Sequence, residues 1–237
     1  MGRWQHKPPY DIIEGTWSGW LRLFRSLPPS VIDLSGGEPL LFPGFFNLLK
    51  LDKHKYALST NLQDTAGYHT LLNINPIIFA SITCSYHKNG IDPEPFAERV
   101  AHLKAKGFNV NINIVDHPTY DLDGSDRYVL SLFEDAGIHY SISPFEDPKL
   151  IAKGITTYRC NAGVNTFTIT PDGSVYRCLS WFRSKHREEG YMGNAFKGTW
   201  EPYDSKQKCT LNCEIYNILN KLHGQPNMFS TYVEELQ

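Results

Sequence analysis

Four of the chain's five cysteines, Cys160, Cys178, Cys209 and Cys213, fall in its C-terminal third. Clustered thiols in a chain without an export signal point to metal ligation rather than to disulfides. Cys160 precedes, and Cys178 ends, a β-hairpin expected around Pro171-Asp172-Gly173, so the pair can meet at the hairpin's base. Cys209 and Cys213 are four apart, a spacing that on a helix puts both sulfurs on one face. Four thiolates suit a tetrahedral zinc ion or a cubane iron-sulfur cluster equally well, and spacing does not choose between them. A second group is Gly36-Gly37-Glu38-Pro39, directly after a strand-like run at 31–35. Two glycines remove side chains and let backbone carbonyls approach a ligand, while Glu38 supplies negative charge suited to an ammonium group. Cys84, inside a strand pattern, reads as a small buried hydrophobe. His87, just past that strand, stands at the same rim as the glycine turn and could meet a substrate.

These residues need a scaffold, and hydrophobic spacing supplies one. Trp17, Trp20, Leu21, Phe24 and Leu27 recur at helical spacing after Thr16, a cap candidate, and Pro28-Pro29 ends that helix. Residues 31–35 read as a buried strand. Pro43 fits the first turn of a helix carrying Phe45, Leu48 and Leu49, and strand 56–60 follows. After a short helix at 68–72 comes strand 77–85, then a helix with Phe96, Val100 and Leu103 on one face, stopped by Gly107. Val110, Ile112 and Ile114 alternate with Asn109, Asn111 and Asn113, which predicts a strand with one apolar and one polar face. A helix at 126–136 stopped by Gly137 and a strand at 138–143 complete five strands and five helices, beginning with a helix. Such alternation predicts an α/β unit with a parallel sheet, whose strand C-termini build the ligand site. Residues 146–157 lack a period and read as a linker. The hairpin segments are 166–170 and 174–178, and helical spacing returns at Ile215, Ile218, Leu219 and Leu222 before Gly224.

With these motifs in place, the chain resembles the radical S-adenosylmethionine superfamily. The Gly36-Gly37-Glu38-Pro39 turn resembles the one that holds the methionine amino group there, and Ser59-Thr60-Asn61 is similar to the Thr-Asn pair that often follows. The resemblance implies that Thr60 and Asn61 bind the cofactor and that Ser81 and Thr83, with Ser85, line its methionine carboxylate and ribose. It places Asn111 and Asn113 on the barrel interior. The runs Cys160-Asn161-Ala162-Gly163, Ile169-Thr170-Pro171-Asp172-Gly173-Ser174-Val175-Tyr176-Arg177-Cys178 and Met192-Gly193-Asn194 look like the SPASM/twitch auxiliary domain. Four cysteines suit its shorter, twitch form, with Cys160, Cys178, Cys209 and Cys213 holding one auxiliary [4Fe-4S] cluster. Cys209 and Cys213 are separated by three residues where two are usual.

The implied architecture is a partial (β/α) TIM-like barrel over residues 1–150, missing its first strand, followed by an auxiliary domain at 151–237. The implied activity is reductive cleavage of S-adenosylmethionine and hydrogen abstraction from a substrate, with a peptide favoured and flavodoxin or ferredoxin as electron donor. The superfamily's own cluster needs a C-x3-C-x2-C run, which this sequence does not contain. Without a first strand, 31–35 is an exposed apolar edge of the kind proteins cover or charge. The expectation is therefore that Met1 is an internal methionine of a longer protein whose upstream part holds the radical-generating cluster. The competing expectation is a non-catalytic iron-sulfur or zinc-stabilised binding scaffold.

Composition narrows the partners. With 23 Lys and Arg against 25 Asp and Glu, the net charge is -2, and no broad basic field exists to gather nucleic-acid phosphates. Arg183, Lys185, His186 and Arg187 form a local cluster that reads as a solvated loop. No apolar run approaches the roughly 18 residues of a membrane helix. The first ten residues are too polar and aromatic for a signal peptide, and His6 stands where a myristoylation signal wants Ser or Thr. The protein is expected to be cytoplasmic.

Overall fold

The computed structural model describes residues 16–88, 90–116, 125–144, 153–160, 162–184, 186–205, 207–211 and 233–235. Contacts divide the chain into two compact units, one of them Trp20–Phe145. Helix α1 (Thr16–Ser26) turns Leu23 and Phe24 into the core. It ends before Pro28, and Lys53 Nζ donates to the carbonyls of Arg25 (2.7 Å) and Leu27 (2.5 Å), satisfying acceptors that a helix C-terminus leaves open.

Strands β1 (Val31–Leu34), β2 (Lys55–Thr60), β3 (Phe79–Tyr86), β4 (Val110–Asp116) and β5 (Tyr140–Pro144) form one sheet in sequential order. Every neighbouring pair is parallel, so the unit is α/β, as the alternation predicts. The connections carry α2 (Phe45–Leu48), α3 (Thr65–Leu71), α4 (Pro93–Ala105) and α5 (Ser125–Asp135). The expected helix stops, Gly107 and Gly137, take φ of 92° and 63°. Beyond them Phe108 N–H donates to the Leu103 carbonyl and Ile138 N–H to the Phe133 carbonyl, the six-to-one bond of a left-handed helix end. Pro43 does not open a helix: Gly44, at φ 86°, caps α2 instead. The run at 77–85 begins as a 3-10 turn, Pro76–Ile78, because Asn75 caps it by accepting from Ile77 N–H at 3.1 Å.

Strand register fixes two unlike sheet faces. Tyr56, Leu58, Ile82, Cys84, Tyr86, Ile112 and Ile114 are buried on one. There Tyr86, Phe96 and Phe133 stack at centroid distances of 5.3, 5.6 and 5.9 Å. The other face carries Asp33, Ala57, Ser59, Ser81, Thr83, Ser85, Asn111, Asn113 and Ser141 in register, all at least partly solvent-accessible. Among the described residues β1 is an edge strand, with Val31 66% exposed.

The second unit contains two small sheets. Residues 153–157, expected as linker, belong to β6 (Lys153–Cys160). Strand β7 (Thr168–Ile169) and β8 (Ser174–Tyr176) make the expected hairpin, shorter than read from sequence. Asp172 accepts from Thr170 Oγ1 at 2.5 Å and Ser174 N–H at 3.1 Å, and Gly173 sits at φ 83°. Helix α6 (Leu179–Arg183) follows, then β9 (Tyr191–Asn194), which carries Met192-Gly193-Asn194 and pairs with β8. Strands β10 (Gln207–Leu211) and β11 (Val233–Glu235) flank β6 antiparallel. Two members of the basic cluster have acidic neighbours: His186 lies 3.4 Å from Glu189 and Arg187 3.3 Å from Glu188. Among the described residues no helix is long and apolar enough to cross a membrane.

Candidate functional site

The turn after β1 is built on glycine. Gly36 has φ of 136°, which other residues rarely adopt, and nothing lies within 4 Å of where a side chain would begin at Gly36 or Gly37. Both glycines are exposed, and among the described residues no backbone N–H donates to either carbonyl. The turn therefore exposes bare backbone just past the C-terminal end of a parallel strand.

Glu38 is pinned from three sides. Its Oε1 accepts from Leu40 N–H at 3.1 Å, capping the 3-10 turn Pro39–Leu41, and from Thr60 Oγ1 at 2.7 Å. Its Oε2 accepts from Asn61 N–H at 2.8 Å. A carboxylate offers about four acceptor positions, so one remains for a ligand. These bonds join the turn after β1 to the end of β2. Thr60 is 2% exposed, and its hydroxyl also accepts from Leu62 N–H at 3.0 Å, while Asn61 Oδ1 accepts from Gln63 N–H at 2.9 Å.

The remaining expected ligand-lining residues lie on the polar face rather than with Thr60, whose register continues the buried side. Thr83 Oγ1 donates to Asn111 Oδ1 at 3.2 Å, and Ser141 Oγ to Asn113 Oδ1 at 3.3 Å, so a hydroxyl-amide ladder crosses from β3 to β5. Ser81 stands opposite Ala57 on that face. The expected set thus divides into a strand-end group, Gly36, Gly37, Glu38, Pro39, Thr60 and Asn61, and a face group, Ser81, Thr83 and Asn113. Cys84, fully buried on the other side, is the hydrophobe the sequence suggests, and burial, then the Glu38 charge, pushes its thiol up. His87 follows β3 at the same rim, and partial desolvation holds its imidazole below the usual range.

Four features of this unit lie outside the sequence motifs. Leu62, buried to 1%, adopts φ of 55°, and Arg99 of α4 donates to its carbonyl. Gln63 Nε2 donates to the Gly90 carbonyl at 2.5 Å. Asp33 is a carboxylate on an otherwise neutral stretch of face, and desolvation raises its carboxyl although the residue keeps solvent access. Only Leu62 was foreseeable in kind, because a turn must follow β2; its left-handed geometry carries no glycine or asparagine signal.

The cysteines of the second unit occupy unlike settings. Cys209 lies on β10, not on a helix, so the four-residue helical spacing to Cys213 does not hold at its first member. It pairs with Tyr158, two positions along the ladder from Gln207, the partner of Cys160. Cys209 is buried, Cys178 is half-buried at the start of α6, and neither is in a disulfide. Cys213 and the helical spacing at 215–222 lie outside the described residues. Among the described residues no three His, Cys, Asp or Glu side chains gather as a metal site. No family model matches the chain, and no curated protein matches it either.

Proposed function

We propose that the strand-end turns of the parallel sheet form an S-adenosylmethionine site of the radical S-adenosylmethionine type. In this reading the five strands are consecutive strands of a partial (β/α) barrel missing its first strand, with the hydroxyl-amide face lining its interior. The observation that carries the reading is Glu38 bridging the Gly36-Gly37 turn to Thr60 and Asn61. The carbonyls of the glycine turn and the fourth acceptor position of Glu38 suit a methionine ammonium group, and Ser, Thr and Asn side chains suit ribose hydroxyls.

S-adenosylmethionine, when bound at a reduced cluster, supplies a radical able to abstract hydrogen from a substrate. The sequence holds no C-x3-C-x2-C run, so this chain's own residues are assigned to binding and orientation. Cys160, Cys178, Cys209 and Cys213 are proposed ligands of an auxiliary [4Fe-4S] cluster. The absence of that three-cysteine run favours, as second reading, a scaffold that binds the cofactor without cleaving it.

Equilibrium dialysis with S-adenosylmethionine tests the site, with ATP and free methionine as controls. Saturable binding of S-adenosylmethionine, stronger than of either control, is expected. Absence of saturable binding up to millimolar cofactor would remove the reading.

A further inference from the structure

The segment after β2 is strained, and its strain is held by a residue outside every motif. Leu62 sits in the left-handed region, where a γ-branched side chain gains nothing locally, and it is fully buried, so the geometry is imposed by its surroundings. Three contacts impose it. Thr60 Oγ1 accepts from Leu62 N–H at 3.0 Å, Asn61 Oδ1 accepts from Gln63 N–H at 2.9 Å, and Arg99 Nη1 donates to the Leu62 carbonyl. The first two are local side-chain turns. Arg99 is the distant one, reaching from α4 across 37 residues of sequence.

Arg99 is itself fixed. Its Nη2 donates to Thr65 Oγ1 at 3.2 Å at the start of α3, and its guanidinium lies 5.2 Å from the centre of the Tyr68 ring. Tyr68 Oη in turn meets His102 Nδ1 at 3.0 Å, one turn along α4 from Arg99. The left-handed step at Leu62 turns the chain sharply after Asn61. Immediately before that step, Asn61 N–H and Thr60 Oγ1 both donate to the Glu38 carboxylate, at 2.8 and 2.7 Å.

We infer that Arg99 is a positioning residue: by holding the Leu62 carbonyl it sets the turn that presents Thr60 and Asn61 to Glu38. The ligand-binding consequence rests on the S-adenosylmethionine reading above, whereas the geometric consequence does not. Arg99→Met keeps the aliphatic length and removes the donors; Arg99→Lys restores one cation able to reach a carbonyl.

The test uses the full chain and two measurements. Amide hydrogen exchange followed by NMR reports the Asn61–Glu38 bond without any ligand, with mid-strand Ile82 and Ile112 amides as monitors of global opening. Arg99→Met is expected to speed Asn61 exchange about tenfold, the weight of one net hydrogen bond, with Ile82 and Ile112 unchanged. Arg99→Lys recovers most of that protection. Dialysis with S-adenosylmethionine is expected to show affinity falling about tenfold in Arg99→Met and partly recovering in Arg99→Lys. Unchanged Asn61 exchange in Arg99→Met, or equal acceleration at Asn61, Ile82 and Ile112, overturns the assignment. If the unmutated chain binds no S-adenosylmethionine while Asn61 responds as stated, the positioning role stands and the cofactor reading fails.

Discussion

Three hydrogen bonds on one carboxylate make Glu38 a strut as well as a candidate ligand. Replacing it by glutamine keeps the shape, removes the charge and turns one acceptor into a donor facing donors. The Glu38→Gln chain is therefore expected to lose about 1.5–3 kcal/mol in urea unfolding, the range for hydrogen bonds to a charged group. A loss within error would mean that the carboxylate is held loosely. Asp33 gives a different kind of expectation. Its carboxyl titrates higher in the folded chain, so the folded chain holds the proton more tightly than the unfolded one. Stability then falls as pH rises from the ordinary carboxylate range through the raised folded value. Asp33→Asn, uncharged throughout, should flatten that descent, gaining on the unmutated chain near neutrality and not below the ordinary carboxylate range; identical pH slopes would contradict it. The glycine-glutamate turn is legible because it directly follows a strand-like run, where two bare residues and a carboxylate mark a turn at a strand end. Arg99 is not, because nothing local marks a contact made from α4 to the turn after β2, and at Leu62 only the turn, not its left-handed geometry, could be read.

At the scale of elements, period and punctuation carried most of the first unit. Alternation of Val110, Ile112 and Ile114 with asparagines is realised as a strand with a buried and a half-open face, and Gly107 and Gly137 end helices with positive φ. Failures came where capping competes with propensity. Asn75 draws the start of the third strand run into a 3-10 turn, and Gly44 rather than Pro43 sets the start of α2. In the second unit, strand pairing with β6 takes Cys209 out of the helical register its spacing suggested. The two faces of the sheet should respond oppositely to truncation. Ile82→Ala, at 0% exposure, is expected to cost about 2–5 kcal/mol, and its neighbour Thr83→Ala under about 1 kcal/mol, by denaturant unfolding. Equal costs would place Thr83 in a packed core and remove the face from consideration as a ligand surface.

For the molecule as a whole, the proposed auxiliary cluster carries an expectation of its own. Purified without oxygen and reconstituted with iron and sulfide, the chain is expected to turn brown and carry both elements in near-equal amounts, with Cys178→Ser and Cys209→Ser each lowering the content. A colourless chain that keeps zinc through that treatment would favour the zinc-stabilised scaffold. The sheet's connectivity has a bearing on how the chain reaches this state during synthesis. Among the described residues, each strand of the first unit bonds to its neighbours in sequence, from β1 through β5. A ribosome releasing the chain from its N-terminus would thus deliver every new strand to an edge already built, without waiting for distant sequence. Leu62, held by an arginine on a helix translated later, is the place where the candidate site completes its bonds only after α4 has been made.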